Sequence, residues 1–522
     1  MNKSIIKISS VLIVISISFL FALSIMVKVD FATADLGRHL KNGEIILNGT
    51  AEARNAVLHT NFYSYTEPNF PFVNHHWGSG VIFYLTEKIS GFNGLSLLYL
   101  VFSLATFWIF FKLACEKSGL LTVSLISMFA IPIIASRAEI RPEIFTYFFC
   151  GVFLYICKKI IDGRISPYYL LFLPIFQLIW VNLHTGFIFG PFIVGTYAID
   201  LLIRKYEARA LVKRFIVILI FIIIAIFINP SGVKGALLPF TIFSNYGYKI
   251  VENQSIPFLV NLGVGNRLAF TQYEVLLALT ILTFGSMLLL KRKEIDLPQM
   301  FFTIVFATMS FLAIRYFPLF GFFAIPAVSL ASNQLYGSFD KKILYTNKVI
   351  LIKVLMTLLL IFSFIFTLVY ISKNKGRMGI GLAPGSDAAA SFFKTNLVRG
   401  PILNNYDIGG YLIYYLYPEK VFYDNRPEAY STSFSQDIYV ASLQDDNLFK
   451  KIDEEYVFNS IFFYYRDYTP WGQAFLTRMI YDSDWAPVFV DDKNLILLRR
   501  NEQNRSIIEK YEIPKEVFQV RG

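Results

Sequence analysis

Long uncharged apolar runs alternate with short polar stretches along most of the chain. Ile8–Met26 carries no charge over 19 residues, Val354–Ser372 repeats that feature, and Phe215–Val233 is rich in Ile, Phe and Val. A bilayer core ~30 Å thick needs roughly 20 apolar residues per helix. About eleven such spans are predicted: residues 6–28, 93–114, 119–136, 143–161, 167–182, 184–203, 213–229, 271–290, 297–313, 315–332 and 348–372. A short joint at Asn182–Thr185 must turn the chain between two of them. The pattern between spans is mixed. Asp35–Leu47 and His76–Lys88 read as helices lying on the membrane surface, separated by a polar and aromatic connection, Thr60–Asn74, with Pro68 and Pro71 as breakers.

Beyond the last run, residues 373–522 are long enough for a core of their own. Pro401–Asn404, Val421–Tyr423, Ser460–Tyr465 and Val488–Arg499 read as strands, the last interrupted by a hairpin turn at Asp491–Asn494. Tyr411–Tyr417 and Phe434–Tyr456 read as helices. The expected fold is an α-helical polytopic membrane protein with a large first exterior loop and a C-terminal exterior α/β domain. Its parts are a first transmembrane helix, 1–28; the loop with two juxtamembrane helices, 29–92; a multi-span membrane domain, 93–372; and the soluble domain, 373–522.

Composition agrees: of 522 residues, 55% are hydrophobic and only 16% charged, less charge than a soluble chain carries. The net charge of +11 does not point to nucleic acid, because its cations sit in every second loop: Lys3 and Lys7; Lys112 and Lys117; Lys158, Lys159 and Arg164; Arg204 to Arg214; Lys291 to Lys293; Lys341 to Lys348. That is the positive-inside pattern. It predicts a multi-pass protein of the plasma (inner) membrane with a cytoplasmic N-terminus. The loops 29–92, 137–142, 182–185 and 230–270, the turn near Arg315, and 373–522 then lie on the exterior or periplasmic side. Lys3, Lys7 and Ala32-Thr33-Ala34 resemble a signal peptide, but the apolar run is longer than the usual signal core, which favours a retained helix. Cys115, Cys150 and Cys157 fall within or at the ends of spans, so no disulfide framework supports the exterior segments.

Candidate chemistry gathers at exterior helix ends. Asp35, Arg38 and His39 share one helix face; they read as a carboxylate base beside a cation and an imidazole, or as a capped interfacial helix. Asn74-His75-His76-Trp77 reads as a metal or substrate site or as an aromatic anchor. Arg137 and Arg141, in a turn with Glu139 and Glu143, together with the lone Arg315, suit phosphate binding; the turn also reads as a self-compensating salt bridge. Trp180–His184 offers Asn182 and His184, or ordinary capping. Asp407–Tyr411 and Phe422–Glu428, with Asp424 and Arg426, read as ligand-bearing loops or plain turns.

Together, Asp35–Gly43, Asn61–Thr66, Asn74–Trp77, Arg141-Pro142, Trp180–His184, Asn229-Pro230, Gly409–Tyr411 and Asp424–Arg426 resemble, in order and spacing, the GT-C class of polytopic glycosyltransferases, and more closely a group of uncharacterised bacterial and archaeal GT-C-like proteins. The resemblance spans most of the chain. It implies a polyprenyl-phosphate-linked sugar as donor, a glycan, lipid or protein as acceptor, and inversion at the sugar. It implies Asp35 as general base, with Asp30 in reserve and His39 or His76 as other proton acceptors. Arg137, Arg141 and Arg315 would hold the donor phosphate, and Arg38, His75, Trp77, Asn182, His184, Asp424 and Arg426 would line the substrate site. A divalent ion (Mg or Mn) is an option for the loop carboxylate. In that group a carboxylate often stands at the place of His76, so a second acid is missing here. A lipid phosphate leaves as an anion, so one base and several cations suffice in principle. Two other classes stay open: a transporter or flippase of lipid-linked sugars, and an inactive GT-C-like scaffold. Sequons begin at Asn48, Asn253 and Asn504.

Overall fold

The computed structural model describes residues 3–32, 35–204, 209–241, 244–290, 294–336, 376–467 and 469–518, with a few isolated positions between 354 and 372. The triplet Lys291–Lys293, the whole 341–348 cluster and, apart from those isolated positions, the predicted span 348–372 lie outside these. Fourteen labelled helices precede the C-terminal segment: α1 Lys3–Ile25, α2 Leu36–Asn48, α3 Ala51–His59, α4 Trp77–Cys115, α5 Leu120–Ala135, α6 Glu143–Ile161, α7 Phe172–Val181, α8 Phe189–Arg204, α9 Arg209–Ile226, α10 Gly232–Leu237, α11 Ile256–Asn261, α12 Arg267–Leu290, α13 Leu297–Leu312 and α14 Phe317–Tyr336. Among the described residues five stretches are long and apolar enough to cross a membrane: Trp77–Cys115, Glu143–Ile161, Thr185–Ile203, Arg267–Leu290 and Ile314–Leu335. Shorter apolar helices accompany them at Ser10–Ile25, Leu120–Ala135, Pro167–Val181 and Leu297–Leu312.

The chain divides into two compact units. One comprises Met1–Lys28, Ser96–Ile228 and Ile250–Ile380; the other Val29–Leu95, Asn229–Lys249 and Gly381–Gly522. In the first, α5 packs on α14 and α1, α13 and α12 pack on α14, and α7 and α8 pack on α9. Contacts are aromatic and close. Phe21 stacks on Phe107 at 4.6 Å and Phe110 on Phe322 at 5.3 Å, and the Gly321 backbone lies against Ile134 and the Ala130 carbonyl. Small residues allow such approach where lipid gives no hydrophobic drive between helices. The buried Thr303 hydroxyl is satisfied inside its own helix, donating to the Gln299 carbonyl at 2.7 Å.

The second unit is built on a four-stranded sheet of order β1-β2-β4-β3, with β1 Ile402–Asn404, β2 Ser460–Tyr464, β3 Trp485–Val490 and β4 Asn494–Arg499. β1 and β2 are parallel, and the remaining pairs antiparallel. The β3–β4 turn forms as expected: Asp491 Oδ1 accepts the amides of Lys493 and Asn494, both at 2.7 Å. The first loop is part of this unit. Ser64 pairs with Val421, and the Tyr65 hydroxyl donates to the Ile402 carbonyl at 2.9 Å. Phe72 from that loop joins the core of Phe422, Tyr423, Tyr439, Phe458, Phe475 and Trp485.

Several elements differ in detail from expectation. The surface helix predicted over His76–Lys88 is the first part of α4, which runs on into the membrane span with one non-helical residue, Gly91 (φ 61°). Val421–Tyr423 makes only isolated bridges, to Ser64 and Ile402. The helix predicted over Phe434–Tyr456 is broken at Asp445, whose side chain caps the helix Asp446–Tyr456 by accepting the Leu448 amide at 3.0 Å; a new start there competes with continuation.

Candidate functional site

In the second unit, three glycines let backbones touch around the start of α2. A methyl group on Gly37 would overlap the Gly410 carbonyl, one on Gly409 would overlap Asp424, and one on Gly43 would overlap the Gly80 carbonyl at the start of α4. The helix Gly409–Leu416, the loop 423–428 and the His75–Gly80 segment are thereby drawn onto the α2 terminus that carries Asp35.

Asp35 precedes α2 but makes no side-chain cap bond. Its Oδ1 instead accepts a hydrogen bond from the Asn425 side-chain amide. That geometry removes the simplest structural explanation of an acid at this position. One turn on, Arg38 is 4% exposed. Its Nη2 stands 4.0 Å from Asp35 Oδ1, beyond hydrogen-bond reach, and its buried Nε has no partner among the described residues. A buried guanidinium nitrogen left without a partner is costly unless a further acceptor completes it. His39, also buried, meets His76 edge-on at 5.1 Å, and His76 lies 3.8 Å from the His75 ring. Asp35, Arg38, His39, His75 and His76 therefore form one cluster, with Trp77 next in the chain.

Two further acids belong here. Asp407, two residues before the helix Gly409–Leu416, is pushed up to about 7 by burial, then by the neighbouring charges of Asp467 and Asp35. Glu428 is also raised by burial, which backbone hydrogen bonds, Arg38 and Arg426 only partly offset. The sequence offered both within turn-like motifs, where nothing marked them off; their environment comes from segments nearly four hundred residues away. Asn425 was hidden for the same reason.

Asp424 and Arg426 are turned inward. Arg426 donates to both carboxylate oxygens of Asp424 at 2.8 and 2.6 Å and to Asn61 Oδ1 at 2.8 Å, its guanidinium lying 4.7 Å from the Phe72 ring centre. Both residues are at most 1% exposed. In this arrangement they brace the loop carrying Asn425 and Glu428, and neither side chain is open to a substrate.

The other predicted residues belong to the first unit. Arg137 makes a bidentate pair with Glu143 at 3.0 and 2.9 Å and a further bond to Glu252 at 2.9 Å. Arg141 bonds Glu252 at 2.9 Å and Glu139 at 2.9 and 3.1 Å. Arg315 donates to Asn253 at 2.8 Å and lies 3.5 Å from Glu143. Three arginines and three glutamates thus share one network. Burial favours the neutral form of Glu252, but Arg137, Arg141 and Arg315 outweigh it and hold this carboxyl well below the usual range. Glu252 was not foreseen; a single acid in a long loop carries no local pattern. The lone Arg315 has partners, supplied by that loop and by α6.

Asn182 donates to the Leu178 and Ile228 carbonyls at 2.9 and 3.0 Å, tying the ends of α7 and α9 together. His184 accepts the Gly186 amide at 3.0 Å and shares a 2.8 Å hydrogen bond with Thr146, which also receives the Trp180 indole N–H at 2.9 Å. Both residues cap the joint between α7 and α8. Among the described residues no three His, Cys, Asp or Glu side chains are placed to hold a metal ion.

No protein-family model matches the chain, and no curated protein matches it. Solved structures do. The archaeal oligosaccharyltransferase AglB from Archaeoglobus fulgidus, in complex with an inhibitory peptide and a dolichol-phosphate, is similar over 92% of this chain and 72% of its own, with 11% identity and a TM-score of 0.57. The Archaeoglobus fulgidus oligosaccharyltransferase tethered to an acceptor peptide matches over 94% and 74%, with 11% identity and a TM-score of 0.53. ArnT from Cupriavidus metallidurans bound to undecaprenyl phosphate matches over 96% and 99%, with 8% identity and a TM-score of 0.51. At these identities the likeness is one of fold alone: the chain shares the fold of these structures.

Proposed function

We propose that this protein is a membrane glycosyltransferase that moves a sugar from a polyprenyl-phosphate carrier to an acceptor on the exterior face, with inversion. The observation that carries the proposal is the pairing of Asp35, which makes no side-chain cap bond, with a buried Arg38 whose Nε has no partner among the described residues. Asp35 takes the proton from the acceptor hydroxyl, and Asn425 orients it. Arg38 faces the developing phosphate charge. The carrier phosphate departs as an anion, so no acid is needed at the leaving group. His39 and His76 shape the sugar side of the cluster. The Arg137, Arg141 and Arg315 network remains a second candidate for the phosphate, at the cost of exchanging carboxylates for it.

The test is turnover of purified full-length protein with polyprenyl-phosphate sugars. A positioned base contributes on the order of 10²–10⁴ in rate, so Asp35→Asn should lose at least about a hundredfold. Undiminished turnover in that variant would sink the assignment. Donor binding without any turnover in the unaltered protein would make it the inactive scaffold instead.

A further inference from the structure

Within the first unit, the turn before α7 and the first three turns of α9 enclose a groove of about 420 Å³, a size typical of small-ligand sites. Its walls are apolar, including Tyr168, Leu171, Ala210 and Val217, and its lining carries two cations, Lys213 and Arg214. None of the residues lining it belongs to the site described above. Tyr168 is 71% exposed and Leu171 61%, which in a membrane fold is surface met by lipid tails.

The cations are what set this groove apart. Several other basic residues of this unit are matched to acids: Lys158 with Asp296 at 2.6 Å, Lys117 with Asp162 at 2.9 Å, and Arg164 with Glu116 at 2.7 Å. Among the described residues Lys213 and Arg214 have no acidic partner; Arg214 only leans over the Tyr168 ring at 5.7 Å. Two unmatched cations one residue apart, set in an apolar groove, call for a ligand with one anionic head and an apolar tail.

We infer that this groove holds an anionic phospholipid, its phosphate against Lys213 and Arg214 and an acyl chain along Leu171 and Val217. Each cation near an anionic lipid surface favours binding by roughly fivefold, and two by roughly 25-fold.

The experiment uses full-length protein purified in mild detergent, incubated with equal phosphatidylglycerol and phosphatidylcholine, with retained lipid measured by mass spectrometry. The unaltered protein should retain phosphatidylglycerol in roughly 25-fold preference. Lys213→Ala with Arg214→Ala should lose that preference, whereas Lys213→Arg with Arg214→Lys should keep it. Ala210→Trp, which fills the groove and leaves both charges, should lose retention altogether. Transferase turnover should be unchanged in all three. Equal retention of the two lipids by the unaltered protein overturns the inference, as does undiminished preference in the double alanine variant. Displacement by equimolar undecaprenyl phosphate overturns it too, since the groove would then be a carrier site. Should the double alanine variant fail to fold, the charge-preserving pair and Ala210→Trp still decide.

Discussion

The Asn425 side-chain amide donates to Asp35 Oδ1 across 390 residues of sequence. A hydrogen bond to a charged group contributes ~1.5–3 kcal/mol. Asn425→Ala should therefore lower turnover by roughly 10- to 100-fold, with little change in donor KM if the bond serves to orient the base. Steady-state kinetics at saturating acceptor reads this directly, and a pure KM effect would place Asn425 in substrate binding instead.

The buried Asp424–Arg426 pair yields a different kind of loss. Removing one member of such a pair leaves an uncompensated charge and costs ~3–5 kcal/mol. Asp424→Ala should show that loss as a lowered unfolding temperature before any assay of activity, and a variant melting like the unaltered protein would contradict the bracing role.

Glu252→Gln separates two uses of the arginine network. It removes a carboxylate that Arg137 and Arg141 both engage. Stability should fall. If these arginines also receive a phosphate, affinity for polyprenyl phosphate should rise, on the order of tenfold for one exchanged charged bond. Calorimetry on both proteins measures this, and falling stability with unchanged affinity confines the network to a structural role.

Asp407 supplies a pH dependence. Its carboxyl is raised from 3.8 to about 7 on folding, so the folded protein holds a proton that the unfolded chain releases. Stability from this group is complete below about pH 4 and is lost as pH rises through about 7. The difference in unfolding temperature between the unaltered protein and Asp407→Asn should shift across that window and flatten outside it. A constant difference would remove Asp407 from the set of titrating groups.

Part of the membrane pattern was legible because its signal is local: the predicted span 143–161 is the apolar helix Glu143–Ile161, and 271–290 lies within Arg267–Leu290, whereas the run Ile8–Met26 forms a shorter apolar helix, Ser10–Ile25, among the described residues. Phe434–Tyr456 was legible as helical, but its break at Asp445 depends on a cap that competes closely with continuation. α3 was missed because Ala51–His59 is short and buries only Val57, leaving little apolar periodicity to read. In the candidate site, the Asp35–Arg38–His39 face followed from helical spacing alone. Whether Asp35 caps its helix could not be read that way, since the answer depends on Asn425. Arg315 looked solitary because Asn253 and Glu143, its partners, stand 62 and 172 positions away in the chain.

The bond between Arg426 and Asn61 has a consequence in time. These residues are 365 positions apart, and a ribosome adding ~5–20 residues per second needs about 20–70 s to travel between them. Throughout that interval the first loop has left the ribosome without the segment that completes its core. Asn61, Tyr65 and Phe72 must wait with their partners unmade, and a stalled or shortened chain leaves the loop that carries Asp35 as a substrate for quality-control proteases.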